Sequence, residues 1–140
     1  GKEGDLDAVR RFLKEGARDG VPWALVYASN QPHTPWNLGD VSNYTPEALT
    51  VPPDLIDTPE TRAALAQYYA EISYLDGRVG EVLAALDETG QRYNTMVLFL
   101  SEQGSNFPFA KWTLYDRGHR AAMIARRGRW SASRKFRMNA

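Results

Sequence analysis

The sequence of 140 residues contains no cysteine. This absence excludes disulfides, thiolate-bound metal ions and a cysteine nucleophile within these residues. No apolar run approaches the roughly 20 residues that a membrane-spanning helix needs, and the first residues, Gly-Lys-Glu-Gly-Asp, do not resemble a signal peptide. The chain also lacks a Walker loop, a GxSxG elbow and an HExxH motif, so the sites that these motifs build have no counterpart here.

Acidic residues are absent from residue 126 onward, although the formal charge of the whole chain is zero. Six of the 17 basic residues lie in that segment, which leaves 11 basic against 17 acidic residues before it. A basic segment can bind nucleic acid, but no pattern of aromatic residues or glycines accompanies this one. We therefore predict a disordered basic tail over residues 127–140, an α/β domain over residues 1–126 before it, and no nucleic-acid partner.

Two segments have the capping residues and apolar spacing of helices. Residues 5–15 place apolar side chains on one face, with Asp5 as the N-cap and Gly16 as the stop. A second pattern starts at Thr58, an N-cap residue followed by proline, and apolar residues recur every three or four positions until Gly90. This spacing predicts one long helix with a single apolar stripe.

Three apolar runs indicate buried strands, at residues 23–29, 95–100 and 121–125. The first two flank the long helix. A strand–helix–strand order predicts two parallel strands that are joined by a right-handed crossover. We therefore predict an α/β fold with a parallel β–α–β core.

Polar residues with useful chemistry follow the two main strands. His33 lies in a loop after the first strand, and Glu102 and Gln103 come directly after the second. Because ligands collect beyond the carboxyl ends of parallel strands, we expect these loops to meet. The carboxylate and amide oxygens are hard ligands that suit Ca²⁺ or Mg²⁺. Lys111, a little further on, offers a positive charge to an oxyanion such as sulfate or phosphate.

Each of these residues also has a purely structural interpretation. Glu102 fits a solvated turn, Lys111 fits an ordinary surface, and His33 fits a hydrogen bond within its own loop. Two oxygen donors also leave a metal site incomplete, because Ca²⁺ takes about 6–8 oxygen ligands. From the residues alone, the structural and the chemical interpretations both stay open.

Four segments follow one another in a characteristic order: NQPHTPW, YYAEISYLDGRVGEVLAAL, MVLFLSEQG and KWTLYDRG. With these segments, the sequence from Trp23 to Ile124 resembles the sulfatase family of the alkaline-phosphatase-like superfamily. That family shows a PHxP-like loop, a helix with this pattern, a strand that ends in Ser-Asp-Asn/His-Gly, and a Lys-x-Thr-x-Tyr-(Glu/Asp)-x-Gly segment. The SEQG and FPFAKW segments most resemble bacterial members similar to heparan N-sulfatase and arylsulfatase.

The resemblance implies an incomplete alkaline-phosphatase-like sandwich that hydrolyses a sulfuric ester or sulfamate, on a sulfated glycan or small molecule and without a membrane partner. Glu102 and Gln103 match the positions of ligands to a Ca²⁺ or Mg²⁺ ion. Lys111 matches the lysine that contacts the sulfate and the nucleophile, and His33 matches a histidine that contacts the sulfate or its leaving oxygen. Both are therefore expected to be catalytic and substrate-binding residues. A periplasmic or secreted location is typical of the family.

The sequence departs from the family pattern in three respects. Glu102 and Gln103 are each one methylene longer than the usual aspartate and asparagine. The Cys/Ser-x-Pro-x-Arg motif that yields the formylglycine nucleophile is absent, as are two further aspartates of the metal site. Residues 127–140 do not match the family's usual continuation. We therefore expect a fragment that is inactive by itself.

Two other functions fit the same residues. One is a phosphoester or phosphonate hydrolase of the same superfamily, which would share the fold and the metal edge. The other is a non-catalytic module in which His33 and Lys111 hold a sulfated glycan or another anion.

Overall fold

The computed structural model describes residues 3–127. The elements are α1 (Leu6–Asp19), α2 (Pro59–Glu88), β1 (Met96–Leu100), α3 (Asp116–His119) and β2 (Met123–Arg127), with 3-10 turns at Val41–Asn43 and Pro46–Ala48. Within this range, no helix is both long enough and apolar enough to cross a membrane. Of the predicted basic tail, Arg127 ends β2, and the rest lies outside the described residues.

The first helix begins where the sequence predicts and ends later. The Asp5 carboxylate accepts hydrogen bonds from two backbone N–H groups of the first turn, at 2.9 and 3.1 Å. The predicted stop at Gly16 is wrong, because the helix continues to Asp19 and is capped by Gly20, whose φ is 65°. Gly16 serves packing instead: a Cβ there would lie 2.8 Å from the Trp23 ring. The glycine therefore admits an aromatic side chain rather than ending a helix.

The long helix α2 is confirmed as one continuous element of 30 residues. The Thr58 hydroxyl accepts the backbone N–H of Thr61 at 3.2 Å, so the predicted N-cap forms. At the other end, Gly90 adopts a φ of 68°, the left-handed conformation that glycine favours. Both ends are set by local interactions.

Two glycines in the middle of α2 provide a test of the helix. A Cβ added to Gly77 or Gly80 would meet nothing within 4 Å among the described residues. We expect Gly77→Ala and Gly80→Ala each to raise the free energy of unfolding by about 1 kcal/mol, because alanine loses less backbone entropy in a helix. Urea titration of the single variants measures this change. A loss of stability would instead show that another part of the protein covers this surface.

The strands pair differently from the prediction. The third apolar run does form a strand, β2, which pairs antiparallel with β1 so that Leu100 lies opposite Met123. Residues 23–29 are extended, but no backbone–backbone hydrogen bond joins them to another strand within residues 3–127. The predicted parallel pair is therefore not found in the described part of the chain. A cleft separates this segment from β1. The two backbones therefore do not lie at the spacing of about 4.8 Å that paired strands require.

The core lies between α1, α2 and the extended segment 23–29. Its buried members are Val9, Leu13, Ala85 and Leu86, and Trp23, Leu25, Tyr27 and Val97 pack against them. The Gln91 side chain joins the layers: its Oε1 accepts the Trp23 indole N–H at 2.8 Å, and its Nε2 donates to the Leu13 carbonyl at 2.7 Å. The start of the extended segment is thereby held beside the turn that leads into β1.

Candidate functional site

The loops that follow the extended segment and β1 meet at one cleft. His33, Glu102, Gln103 and Lys111 all line this cleft, which has a volume of about 1590 Å³. A hydrogen bond of 3.0 Å from Asn106 Nδ2 to the Thr34 hydroxyl links the two loops directly. The predicted meeting of the loops is confirmed, although the strands before them are not paired.

An aromatic cluster of Trp36, Tyr68 and Phe107 holds both loops on α2. The ring centroids of Trp36 lie 5.0 Å from Phe107 and 5.3 Å from Tyr68, and those of Tyr68 and Phe107 lie 5.6 Å apart. Such pairs each contribute about 0.5–1.5 kcal/mol beyond their buried area. Burial raises the pKa of the Tyr68 phenol above its usual value, so this ring stays neutral at neutral pH. The cluster therefore fixes the site loops through apolar contacts.

Lys111 brings a positive charge to the cleft, as Arg120 does. The Lys111 side chain is 13% exposed, and Nζ lies 3.9 Å from a carboxylate oxygen of Glu102, whose side chain is 75% exposed. Its backbone N–H donates to the Ser105 carbonyl at 3.0 Å, which holds the chain in position. Because the ion pair is long and its acidic partner is solvated, it contributes little stability. An incoming anion can therefore replace Glu102 at the ammonium group.

His33 is oriented by its own loop. Nδ1 lies 2.7 Å from the Thr34 carbonyl oxygen, and a carbonyl can only accept, so Nδ1 carries the proton in this contact. The other ring nitrogen, Nε2, is then left for a ligand or a proton. The structural interpretation of this histidine, a hydrogen bond within its loop, is therefore found, and its chemical role stays a prediction.

The donor set does not fit a complete metal site. Glu102 and Gln103 bring two side-chain oxygens to the cleft, whereas Ca²⁺ takes about 6–8. No group of three or more His, Cys, Asp or Glu side chains suited to a metal ion occurs within residues 3–127. The Glu102 carboxylate also lies beside Lys111, the charge of which opposes a nearby cation. The metal roles of these two residues stay predictions.

Glu71, which the sequence analysis did not single out, is fully buried in the middle of α2. Its Oε2 accepts the backbone N–H groups of Leu38 at 2.9 Å and Gly39 at 3.2 Å, while Oε1 has no partner among the described residues. The backbone comes close here, because a Cβ on Gly39 would lie 2.1 Å from the Ala70 carbonyl group. Glu71 thus ties the loop after Trp36 to the helix.

A comparison with known protein families shows which family this chain belongs to. The family model described as Sulfatase matches residues 5–135. The chain belongs to the sulfatase family. Membership supports the α/β alkaline-phosphatase-like fold class, of which the described residues form a part with helices and one antiparallel pair of strands.

Several curated relatives are similar to this sulfatase-family chain. N-sulphoglucosamine sulphohydrolase of Homo sapiens is 30% identical over 130 residues, which cover 76% of this chain and 26% of that protein. An ulvan-active sulfatase of Formosa agariphila is 28% identical over 130 residues, or 85% of this chain and 25% of the relative. A choline-sulfatase of Rhizobium meliloti is 31% identical over 109 residues, or 59% and 21%. The chain thus spans about a quarter of the length of these relatives. No solved structure matches it.

Proposed function

We propose that this chain forms the anion-binding side of a sulfuric ester hydrolase, with Lys111 and His33 as the residues that contact the sulfate group. The observation that carries the proposal is their position in one cleft of a chain that belongs to the sulfatase family. The names of the similar proteins refer to sulphoglucosamine, ulvan and choline. Sulphoglucosamine, and iduronate in the name of a further relative, are sugars, so a sulfated sugar is the substrate class that we propose.

The two side chains supply complementary chemistry. Hydrolysis joins sulfur to an incoming oxygen and breaks its bond to the oxygen or nitrogen of the sugar, which must gain a proton. The ammonium group of Lys111 offsets negative charge on the sulfate oxygens as the bond breaks. A protonated Nε2 of His33 can donate to the leaving atom, as a general acid does.

The proposed dependence on Ca²⁺ or Mg²⁺ requires more metal ligands than the described residues provide. Glu102 and Gln103 would contribute two oxygens to such an ion, and the remaining donors would come from another polypeptide segment. The described residues do not make a complete set of ligands, and the roles proposed for Lys111 and His33 do not depend on the ion. Such an ion would supply additional positive charge at the sulfate group when it is bound.

We expect residues 1–140 by themselves to show no turnover of 4-nitrophenyl sulfate, with or without added Ca²⁺. The physical reason is the lack of the formylglycine motif in the sequence together with the incomplete donor set. Release of 4-nitrophenol, followed by absorbance, measures the rate. Metal-dependent turnover that disappears in the Lys111→Gln variant would show that the chain contains a complete site.

Binding of inorganic sulfate is expected to depend on Lys111. Lys111→Gln should weaken sulfate binding about 10- to 100-fold, because a hydrogen bond to a charged group contributes about 1.5–3 kcal/mol. Titration followed by NMR chemical shifts of the two site loops measures the affinity. Lys14→Gln, at an exposed position on α1, is the matched control and should leave it unchanged.

The same titration separates the alternative functions. Tighter binding of phosphate than of sulfate would favour a phosphoester or phosphonate hydrolase. Tight binding of a sulfated glycan, unaffected by Ca²⁺, would favour a non-catalytic module. Sulfate binding that is equal in the wild type, Lys111→Gln and Lys14→Gln would remove the basis of the proposal.

A further inference from the structure

Trp112, the residue after Lys111, is the most exposed large aromatic side chain in the described part of the protein. It is 83% exposed, against 48% for Phe109 and 59% for Tyr115 in the same loop. The rings of Phe109 and Tyr115 pack edge to face on each other, with their centroids 5.2 Å apart. Within residues 3–127, no other aromatic ring packs on the Trp112 indole. The indole is therefore free to contact a ligand.

The backbone holds Trp112 in an unfavourable conformation. Ala110 to Thr113 form a turn that is closed by a hydrogen bond of 3.1 Å from the Thr113 N–H to the Ala110 carbonyl. In this turn Trp112 has a φ of 67°, a value that is usual for glycine and costly for a bulky side chain. The Thr113 hydroxyl also donates to the Ala110 carbonyl, at 2.6 Å, and Ala110 is buried. Strained residues of this kind cluster at ligand-binding sites, which favours a binding role for the ring.

The indole stands beside the positive charge of Lys111. Lys111 Nζ lies 5.4 Å from the centroid of the Trp112 ring, a distance at which an ammonium group and an indole attract each other. A ligand that places an anionic group at Lys111 therefore has its remaining atoms next to the indole. Carbon atoms of that part in van der Waals contact would lie about 3.5–4.0 Å from the ring.

A sugar ring matches this pair of residues. One face of a pyranose carries C–H groups that can pack on an aromatic face, while the hydroxyl groups around the ring stay solvated. Quaternary ammonium groups are instead bound by cages of several aromatic rings, and Trp112 has no second ring against it within residues 3–127. A sulfated sugar combines an anion for the ammonium group with an apolar ring face for the indole.

We propose that Trp112 is a sugar-binding residue, on which the ring of a sulfated sugar stacks while its sulfate group contacts Lys111. The inference rests on the proposed function, because Lys111 must hold the sulfate group. It assigns the recognition of the sugar ring to a side chain that is separate from the anion site. Trp112 thus favours sulfates that carry a ring over sulfates that do not.

The binding of three sulfates to residues 1–140 tests this inference. Glucose 6-sulfate and methyl sulfate are both primary sulfate esters, but methyl sulfate has no ring, and choline O-sulfate carries a quaternary ammonium group instead. NMR titration measures the affinities, and the indole N–H signal of Trp112 is assigned by its loss from the Trp112→Gly variant. We expect glucose 6-sulfate to bind about two- to tenfold more tightly than methyl sulfate and to shift this signal.

Three variants separate the ring from the turn that carries it. Trp112→Gly removes the ring without straining the turn, because glycine adopts a positive φ readily. It should weaken the binding of glucose 6-sulfate about two- to tenfold, affect methyl sulfate less, and leave Tm no lower. Trp112→Phe, which restores an aromatic ring, should retain most of the preference for the sugar. Tyr93→Gly, which removes another exposed aromatic side chain from a turn, is the matched control and should retain all of it.

Four results would overturn the inference. They are equal affinities for glucose 6-sulfate and methyl sulfate, an indole signal of Trp112 that the sugar does not shift, equal binding of the sugar by the wild type and Trp112→Gly, and tighter binding of choline O-sulfate than of the sugar. The proposed function fails in a different way. Sulfate binding that is unchanged in Lys111→Gln would remove the anion site, whereas binding that depends on Lys111 but gains nothing from the ring would remove the role of Trp112 alone.

Discussion

Replacement of Glu71 with alanine is expected to lower the free energy of unfolding by about 2–4 kcal/mol. The side chain is fully buried and accepts the backbone N–H groups of Leu38 and Gly39. Alanine would leave both donors without this partner and would open a cavity in the interior. The loop after Trp36 would lose its attachment to α2, and amide exchange at Leu38 and Gly39 should accelerate more than elsewhere. Urea titration and hydrogen exchange measure the two effects.

Two variants separate the hydrogen bonds from the charge and from general effects on the helix. Glu71→Gln keeps an oxygen that can accept both N–H groups, so we expect a smaller loss than with alanine. Glu88→Ala, at an exposed position near the end of the same helix, should change the stability by less than about 0.5 kcal/mol. Equal stabilities of Glu71→Ala and Glu88→Ala would contradict the role assigned to the buried carboxylate.

Leu13→Ala should lower the free energy of unfolding by about 2–5 kcal/mol, the range for a large-to-small change in a well-packed core. Leu13 is 0% exposed and packs with Val9, Ala85 and Leu86 between the two long helices. The destabilisation should also reach residues 23–29, because Trp23 packs against the same cluster. Thermal unfolding and the tryptophan emission maximum measure the change.

An exposed aliphatic residue provides the comparison for Leu13. Ile56→Ala removes a similar number of methyl and methylene groups from a side chain that is 81% exposed. We expect it to alter the stability by less than about 0.5 kcal/mol. If Leu13→Ala cost no more than Ile56→Ala, the cluster between α1 and α2 would not be the core of this chain.

The sequence predicted the parts of the fold that depend on near neighbours. Thr58 and Asp5 cap their helices through N–H groups two or three residues away, so the signal and its partner lie in one stretch of sequence. Gly16 misled the prediction because its role is to admit the Trp23 ring, which is a tertiary contact. Capping motifs are therefore reliable here, and a glycine alone is not a helix stop.

The candidate site residues were recognisable from motifs, but the residues that hold the neighbouring loops in place were not. His33 and Lys111 stand in segments that resemble sulfatases, and the structure brings both to one cleft. Glu71 could not be recognised, since its partners Leu38 and Gly39 lie 33 and 32 positions away. A buried acid is stabilised only by the groups that the fold brings to it.

By itself, the sequence determined where α1 and α2 begin, the whole extent of α2, the positions of the apolar runs and the residues that bring charge to the cleft. Only the tertiary structure decided which strands pair. β1 pairs antiparallel with β2, and residues 23–29 lie across the cleft from β1 without a backbone hydrogen bond to it within residues 3–127. The physical reason is that helix hydrogen bonds close within four residues, whereas strand hydrogen bonds join segments that can be any distance apart in the chain. An apolar run thus indicates a strand without indicating its partner.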